Sequence, residues 1–478
     1  METALDTAGK TPPTAAPAPY PYRWAVLALV LTADVMDLLD ATITGIAAPE
    51  VAADLGGGRE LGQWLQAAYT LPFAVLLITA GRLGDRYGRR RLFLIGSAGF
   101  TLASALCSLA TEPGWLITGR ALQGALGALL LPQGFGLLKE VFQGPELGRA
   151  FGFFGPVLGV AAVGGPVLGG VLVGADLFGT GWRAVFLVNL PLGLLTVLGA
   201  LRWMPRGEAD PALRMDLPGM LLTGAASAAL VYPLVQGPGL GWPWWSLVLL
   251  AAGPLGFWLF ARLQPRRPSP LVLPSLLRNT AYTGGILVVT AFFAAFSGVT
   301  LVLSLFLQGP LGMSPQGAGY SVAPLALGMA LTAGPASALA RRKGRLVIQA
   351  GIVVSLLGLV LLAVLAGPAG WATSGWRLVP ATLLTGLGMG LVVPPLFDVI
   401  LGGVTGPETG SAAGVLNAAQ QLANAFGVAL LVTCWSAYGD HGYGPGGALA
   451  GTALAVVGLL VVALLASYRL PEEITARH

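Results

Sequence analysis

Charge is what this 478-residue sequence has least of: Asp, Glu, Lys and Arg together make up 10%, against roughly 25% in soluble domains. So few charges cannot cover a folded chain of this length, which excludes a soluble globular enzyme. Histidine is reduced to His441 and His478, and cysteine to Cys107 and Cys434. Both cysteines sit in apolar stretches, where they read as small core residues and not as disulfide or metal ligands. No G-x-x-x-x-G-K-[ST] phosphate loop occurs, so ATP-driven chemistry is not expected. The chain is expected to carry no cofactor and no metal. Residues 1–22 are rich in Pro, Ala and Thr and lack an apolar core followed by a cleavage pattern, so they are expected to form a disordered tail and not a signal peptide.

What fills the sequence is hydrophobic residues, 55% of the total, with a mean hydropathy of +0.77. They fall into stretches long enough to cross a bilayer, each needing roughly 20 residues. Fourteen such spans can be drawn, beginning near Trp24, Leu61, Arg91, Pro113, Arg149, Trp182, Asp216, Trp244, Thr280, Pro315, Leu346, Gly375, Gly410 and Gly447. Of the 26 Lys and Arg, 22 then lie in one set of alternating loops and three (Arg59, Arg183 and Arg377) in the other. The positive-inside rule puts both termini in the cytoplasm. This distribution accounts for the net charge of +5 better than nucleic-acid binding does, because no single soluble face gathers the basic residues.

The pattern G-P-E-x-G-x-A-x-G occurs twice, at residues 144–152 and 406–414. The same 262-residue offset carries Gly124 onto Gly386 and Pro132 onto Pro394. The expected fold is therefore an all-α integral membrane protein. It has an N-terminal six-helix bundle over 23–205, an inserted helix pair over 206–265, a C-terminal six-helix bundle over 266–470 and a short tail over 471–478. Paired halves of this kind suit transporters that rock around a midplane site.

The first span is unusual in carrying Asp34, Asp37 and Asp40 at intervals of three, so that neighbours share a helix face. Asp34 falls about 15 Å along the helix from Trp24, near the bilayer midplane. Three ionised carboxylates in one apolar helix are unfavourable, and a carboxylate poised to gain or lose a proton is what proton-coupled exchange requires. Arg120 is the single basic residue deep within a span and must face a partner or water. Asp398, near the end of its span, reads as a helix-end residue. Asn417, Gln420, Gln421 and Asn424 recur at helical spacing and form one polar face, the wall of a cavity. Gln63, Gln66 and Tyr69 supply a polar and aromatic counterpart from the other bundle.

Between the second and third spans runs Gly81-Arg82-Leu83-Gly84-Asp85-Arg86-Tyr87-Gly88-Arg89-Arg90-Arg91. This segment resembles the signature loop of the major facilitator superfamily. Four further segments narrow the likeness to the superfamily's fourteen-helix drug:proton antiporters: Asp40-Ala41-Thr42-Ile43 with Pro49, Gly119-Arg120-Ala121-Leu122-Gln123-Gly124, Gly165-Pro166-Val167-Leu168-Gly169-Gly170, and Trp182-Arg183 leading to Asn189-Leu190-Pro191-Leu192-Gly193. The resemblance implies that Asp85 and Arg86, with Gly81, Gly84, Gly88, Arg89 and Arg90, form a latch between bundles. It also implies that Gly165, Pro166, Gly169 and Gly170 act in the conformational change. Gln123 and Asn189, within two of these motifs, join the candidate substrate contacts.

The function these readings imply is export of a hydrophobic or cationic small molecule, a drug or an antibiotic, in exchange for protons. The chain is expected to be a monomer in a bacterial cytoplasmic membrane, with protons, a small-molecule substrate and lipid as its partners. Proton-coupled uptake of a metabolite, and a receptor or scaffold that transports nothing, are the alternatives.

Overall fold

The computed structural model describes residues 19–472 apart from 57, 144, 155–156, 158–160, 162–163, 166–167, 170, 173–178, 208, 214, 238–239, 269, 314, 367–374 and 405–407. Among the described residues every regular element is helical and no strand is present. The first half comprises α1 (Arg23–Leu55), α2 (Gly58–Tyr87), α3 (Arg89–Ser108), α4 (Pro113–Gly127), α5 (Leu130–Val141), α6 (Pro145–Gly152), α7 (Ala184–Leu187) and α8 (Asn189–Trp203). Two helices follow, α9 (Leu217–Gln236) and α10 (Trp244–Leu263). The second half comprises α11 (Pro274–Arg278), α12 (Thr280–Gln308), α13 (Pro315–Lys343), α14 (Arg345–Ala366), α15 (Val379–Gly402), α16 (Thr409–Asp440) and α17 (Pro445–Ser467).

Local sequence explains where these helices start and break. Asp216 caps α9 by accepting from the Gly219 N–H at 3.0 Å, and Asn279 caps α12 by accepting from Ala281 at 3.0 Å and Tyr282 at 3.2 Å. Each cap satisfies N–H groups that the first helical turn leaves free. The α4–α5 break falls at residues 128–129, where the ring of Pro132 would clash with the carbonyl four residues earlier. Its repeat counterpart Pro394 lies inside the continuous α15, so the two halves resolve the same proline differently.

Eleven helices among the described residues are long and apolar enough to cross a membrane, or twelve when the bent pair Trp64–Leu77 and Thr79–Tyr87 is one span. The fourteen spans expected from the sequence are not all in that count. With 33 residues α1 is long enough, but its aspartates set it apart in composition, and the segment following α6 is described only in part.

Helices in lipid gain little from hydrophobic transfer on association, so close backbone approach decides how they pack. A Cβ on Gly124 of α4 would run into the Tyr69 carbonyl of α2, and a Cβ on Gly386 of α15 would run into the Leu325 carbonyl of α13. The 262-residue repeat is therefore a repeat of tertiary contacts. By contrast α10 lies at the periphery on α9, with Trp244, Leu247, Leu255 and Trp258 exposed. An apolar face of that extent suits lipid and not water.

The halves meet at the end that carries the arginine-rich loops. Lys139 of α5 donates to the Val404 carbonyl at 3.2 Å and to the Leu401 carbonyl, which lies 262 residues away. Phe135 faces Phe397, also 262 residues on, with ring centroids 5.9 Å apart. Positions related by the repeat thus touch each other, as they do beside a two-fold axis. The segment before α11 acts as a strap there: Arg82 of α2 donates to the Leu271 carbonyl at 2.9 Å and to the Pro270 carbonyl, while Ser411 of α16 donates to the same Leu271 carbonyl at 2.9 Å. These hydrogen bonds from Arg82 and Lys139 all lie at this basic end. Hydrogen bonds from a charged donor contribute about 1.5–3 kcal/mol. Arg82→Ala is accordingly expected to lower the thermal unfolding midpoint of the purified protein, and Arg82→Lys to recover part of the loss. An unchanged midpoint in Arg82→Ala would show that the strap is held without it.

Candidate functional site

The three aspartates of α1 differ in their surroundings. Asp40 is fully buried and forms an ion pair with Arg120 of α4. Its second oxygen accepts from Gln123 Nε2 at 2.7 Å and from Asn189 Nδ2 of α8 at 2.8 Å. Gln123 also donates to Ser104 of α3 at 2.8 Å and accepts from Arg120 at 2.8 Å, and Arg120 Nε reaches the Leu65 carbonyl at 3.2 Å. Residues from five helices thus enclose one buried pair. Such a pair persists in an apolar setting because each charge is hydrogen-bonded as well as paired. One Arg120 nitrogen, Nη2, has no hydrogen-bond partner among the described residues, and neither has Asn189 Oδ1.

Asp37, half-buried, has a different neighbour: the Tyr69 hydroxyl of α2 donates to its Oδ1. Asp34 is 6% exposed and makes no hydrogen bond among the described residues. From Asp40 to Asp34 the partner therefore changes from an arginine to a phenol to none.

The polar face of α16 is present, though its members are engaged to different degrees. Asn417 is buried and donates to the Ala413 carbonyl of its own helix at 2.9 Å. Gln420, Gln421 and Asn424 are half-buried, with Asn424 donating to Gln421 at 3.2 Å. Across from them α2 packs on α16. On α2, Gln66 is exposed and Tyr69 buried, and the Gln63 side chain lies outside the described residues. Gln123 and Asn189, read from sequence as substrate contacts, are both fully buried in the Asp40 network.

Around the signature loop, Asp85 pairs with Arg89 at 3.1 Å, and Arg89 also reaches Glu140 at 2.8 Å. Arg90 closes the C-terminal end of α8 by donating to the Ala200 carbonyl at 3.2 Å and the Leu201 carbonyl at 2.6 Å, a favourable place for a cation. Arg86 lies against the Tyr87 ring, 5.3 Å from its centroid. Gly88, with φ of +91°, makes the turn between α2 and α3, a conformation that favours glycine. Gly81 is buried within α2, and a Cβ on Gly84 would strike the Gln133 side chain. These contacts of Asp85, Arg86, Arg89 and Arg90 are made within the first half, whereas those of Arg82 and Lys139 cross to the second half. Neither of those two was singled out from the sequence. The offset of 262 from Lys139 to Leu401 was the available signal. Gly165 and Gly169 press against Thr42 and Ile43 of α1, while Pro166 and Gly170 lie outside the described residues. Among the described residues no group of three or more His, Cys, Asp or Glu is placed to hold a metal.

Comparison with known proteins adds identity to this geometry. The model of the family described as Major Facilitator Superfamily matches residues 30–428. A probable actinorhodin transporter of Streptomyces coelicolor is 45% identical over 436 residues, covering 90% of this chain and 75% of that protein. A puromycin resistance protein of Streptomyces alboniger is 38% identical over 89% of this chain and 86% of its own length. A tetracenomycin C resistance and export protein of Streptomyces glaucescens is 33% identical over 85% of this chain and 75% of its own. Among solved structures, the human organic anion transporter MFSD10 superposes with a TM-score of 0.65 at 19% identity, covering 94% of this chain and 100% of that one. At that identity the likeness is one of fold.

Proposed function

The chain belongs to the major facilitator superfamily, and from that premise we propose that it exports an antibiotic or another hydrophobic or cationic drug in exchange for protons, by alternating access. It is a multi-pass membrane transporter and not an enzyme. Its relatives named for actinorhodin, puromycin and tetracenomycin C support an antibiotic-sized organic substrate. Fourteen spans with both termini in the cytoplasm of a bacterial cell account for the basic loops. With those loops inside, the contacts of Lys139 and Arg82 close the cytoplasmic end, which supports an outward-facing state.

The observation that carries the exchange reading is the graded set of partners along α1. Asp40 is balanced by Arg120, whereas no ion pair among the described residues holds Asp37 or Asp34. A carboxylate in an apolar span without a countercharge is stable only when protonated, and it ionises when the surrounding helices admit water. Proton release and substrate binding then favour different conformations, as exchange demands.

Sealed proteoliposomes with an imposed pH gradient, loaded with puromycin or actinorhodin, test this reading. Flux is expected to follow the gradient. Asp34→Asn or Asp37→Asn is expected to cut gradient-driven flux by roughly 5–150-fold, the range of coupling energies of about 1–3 kcal/mol. Flux that ignores the gradient in both directions would refute exchange, and full activity in both variants would remove the coupling site from α1.

A further inference from the structure

Beyond assigning carboxylates, the structure points to how two of them communicate. We propose that Tyr69 is a positioning residue that ties the Asp37 carboxylate to the Arg120–Asp40 ion pair, so that the charge on Asp37 is transmitted to that pair; the role rests on the exchange reading above.

Tyr69 is 3% exposed and touches both partners. Its hydroxyl donates to Asp37 Oδ1, and its ring lies beneath the Arg120 guanidinium, whose central carbon is 4.5 Å from the ring centroid. A guanidinium over an aromatic face is attracted by the ring quadrupole, and more strongly when desolvated. The seat for this side chain is built by α4. A Cβ on Gly124 would run into the Tyr69 carbonyl, and a Cβ on Gly127 would lie 3.2 Å from the Tyr69 hydroxyl and 3.5 Å from Asp37 Oδ1. Arg120, Gly124 and Gly127 are spaced by four and three residues, so they share one helix face. Phe73, one turn further along α2, stacks on the Tyr69 ring at 5.6 Å with an interplanar angle of 27°. The phenol is thus held by contacts from both α2 and α4.

Among the described residues the charged and titratable groups near Asp37 are few. Asp34 and Asp40 share its helix, Tyr69 comes from α2 and Arg120 from α4, with Cys107 of α3 beyond Gln123. Lys139 on α5 sits at the basic end, and Arg183 pairs with Asp54 at the opposite end of α1. When Asp37 is ionised, the phenol proton and the cation above the ring are both aligned to favour it. When Asp37 is protonated, that pull ends and Arg120 is left to Asp40 alone. Arg120 Nη2, which has no hydrogen-bond partner among the described residues, leaves the guanidinium a donor able to respond to that change. Tyr69, read from sequence as a substrate contact, becomes on this account the link between coupling groups.

Tyr69→Phe tests the proposal, because it keeps the ring under Arg120 and removes only the hydroxyl. Ionised Asp37 then loses a donor, so the pH of half-maximal exchange is expected to rise by about one to two units, roughly 10–100-fold in proton affinity. Puromycin binding measured at low pH is expected to stay within about two-fold of the parent, since no substrate contact is removed. In an Asp37→Asn background the same substitution is expected to change nothing further, the signature of coupling between the two positions. An unchanged pH profile, or an equal shift with and without Asp37, would overturn the link. Reduced puromycin binding with an unmoved profile would overturn it too and return Tyr69 to the substrate site. The cycle is repeated by following the pH dependence of thermal unfolding in detergent, which needs no transport. A shift there in Tyr69→Phe but not in Asp37→Asn/Tyr69→Phe, together with flux that ignores the gradient, would refute exchange while leaving the link in place.

Discussion

Arg120→Ala is expected to abolish export and to leave little stable protein. The substitution strands Asp40, fully buried, with only the amides of Gln123 and Asn189 to hold its charge. Removing one partner of a buried ion pair costs about 3–5 kcal/mol, a large fraction of the roughly 5–15 kcal/mol that holds a typical domain folded. Loss of activity in this variant alone would not separate folding from transport. The double substitution Asp40→Asn with Arg120→Gln does so. It removes both charges while keeping groups able to bond to Gln123 and Asn189, so the unfolding midpoint in detergent is expected to return most of the way to that of the parent. Export in proteoliposomes is expected to stay at background, because the countercharge that distinguishes Asp40 from Asp37 and Asp34 is gone. A double variant that transports like the parent would show the pair to be a structural tie without a part in coupling.

Gly124→Val and Gly386→Val are expected to be almost as severe, and equally so. Each added side chain meets a backbone carbonyl, that of Tyr69 or Leu325, and not the mobile end of a neighbour. Backbone cannot step aside without moving the whole helix, and overpacking of this kind typically costs about 1–3 kcal/mol or more. At Gly124 the displacement would also carry Tyr69 away from Asp37. The comparison with Gly114, where a Cβ would meet nothing within 4 Å, supplies the control: Gly114→Ala is expected to leave the yield and monodispersity of the purified protein unchanged. If Gly386→Val were tolerated while Gly124→Val was not, the equivalence of the two halves would fail at the level of packing. If both were tolerated, close helix approach would not be what joins these pairs.

Much of the architecture was legible in advance because it depends on composition and short spacing. A helix in lipid must satisfy its own backbone and present apolar side chains outward, so long apolar stretches separated by charged loops fix the fold class. The doubled G-P-E-x-G-x-A-x-G pattern located the repeat, and the positions it equates, Gly124 and Gly386, make the same kind of contact. The aspartates of the first span stood out because charges are rare in such a helix. Arg120 and Tyr69 stood out as well, but which carboxylate each of them meets did not. Tyr69 and Asp37 are 32 residues apart, Arg120 and Asp40 are 80, and Lys139 and Leu401 are 262. No local periodicity reports which face of α4 turns toward α1. The signature segment shows the same limit: its spacing marks the loop, but only the packed helices show Asp85 and Arg89 pairing within one half while Arg82 crosses to the strap.

By itself the sequence determined that this chain is built of membrane helices and carries an internal repeat, with charged residues placed within its first span and at Arg120. That follows from the cost of placing polar groups in lipid, a cost paid residue by residue and therefore readable residue by residue. Which carboxylate is paired with an arginine, which is held by a phenol and which has no partner among the described residues was decided by tertiary structure alone, because a side chain's partner is set by helix packing across long stretches of chain and leaves no mark on the spacing of its neighbours in sequence.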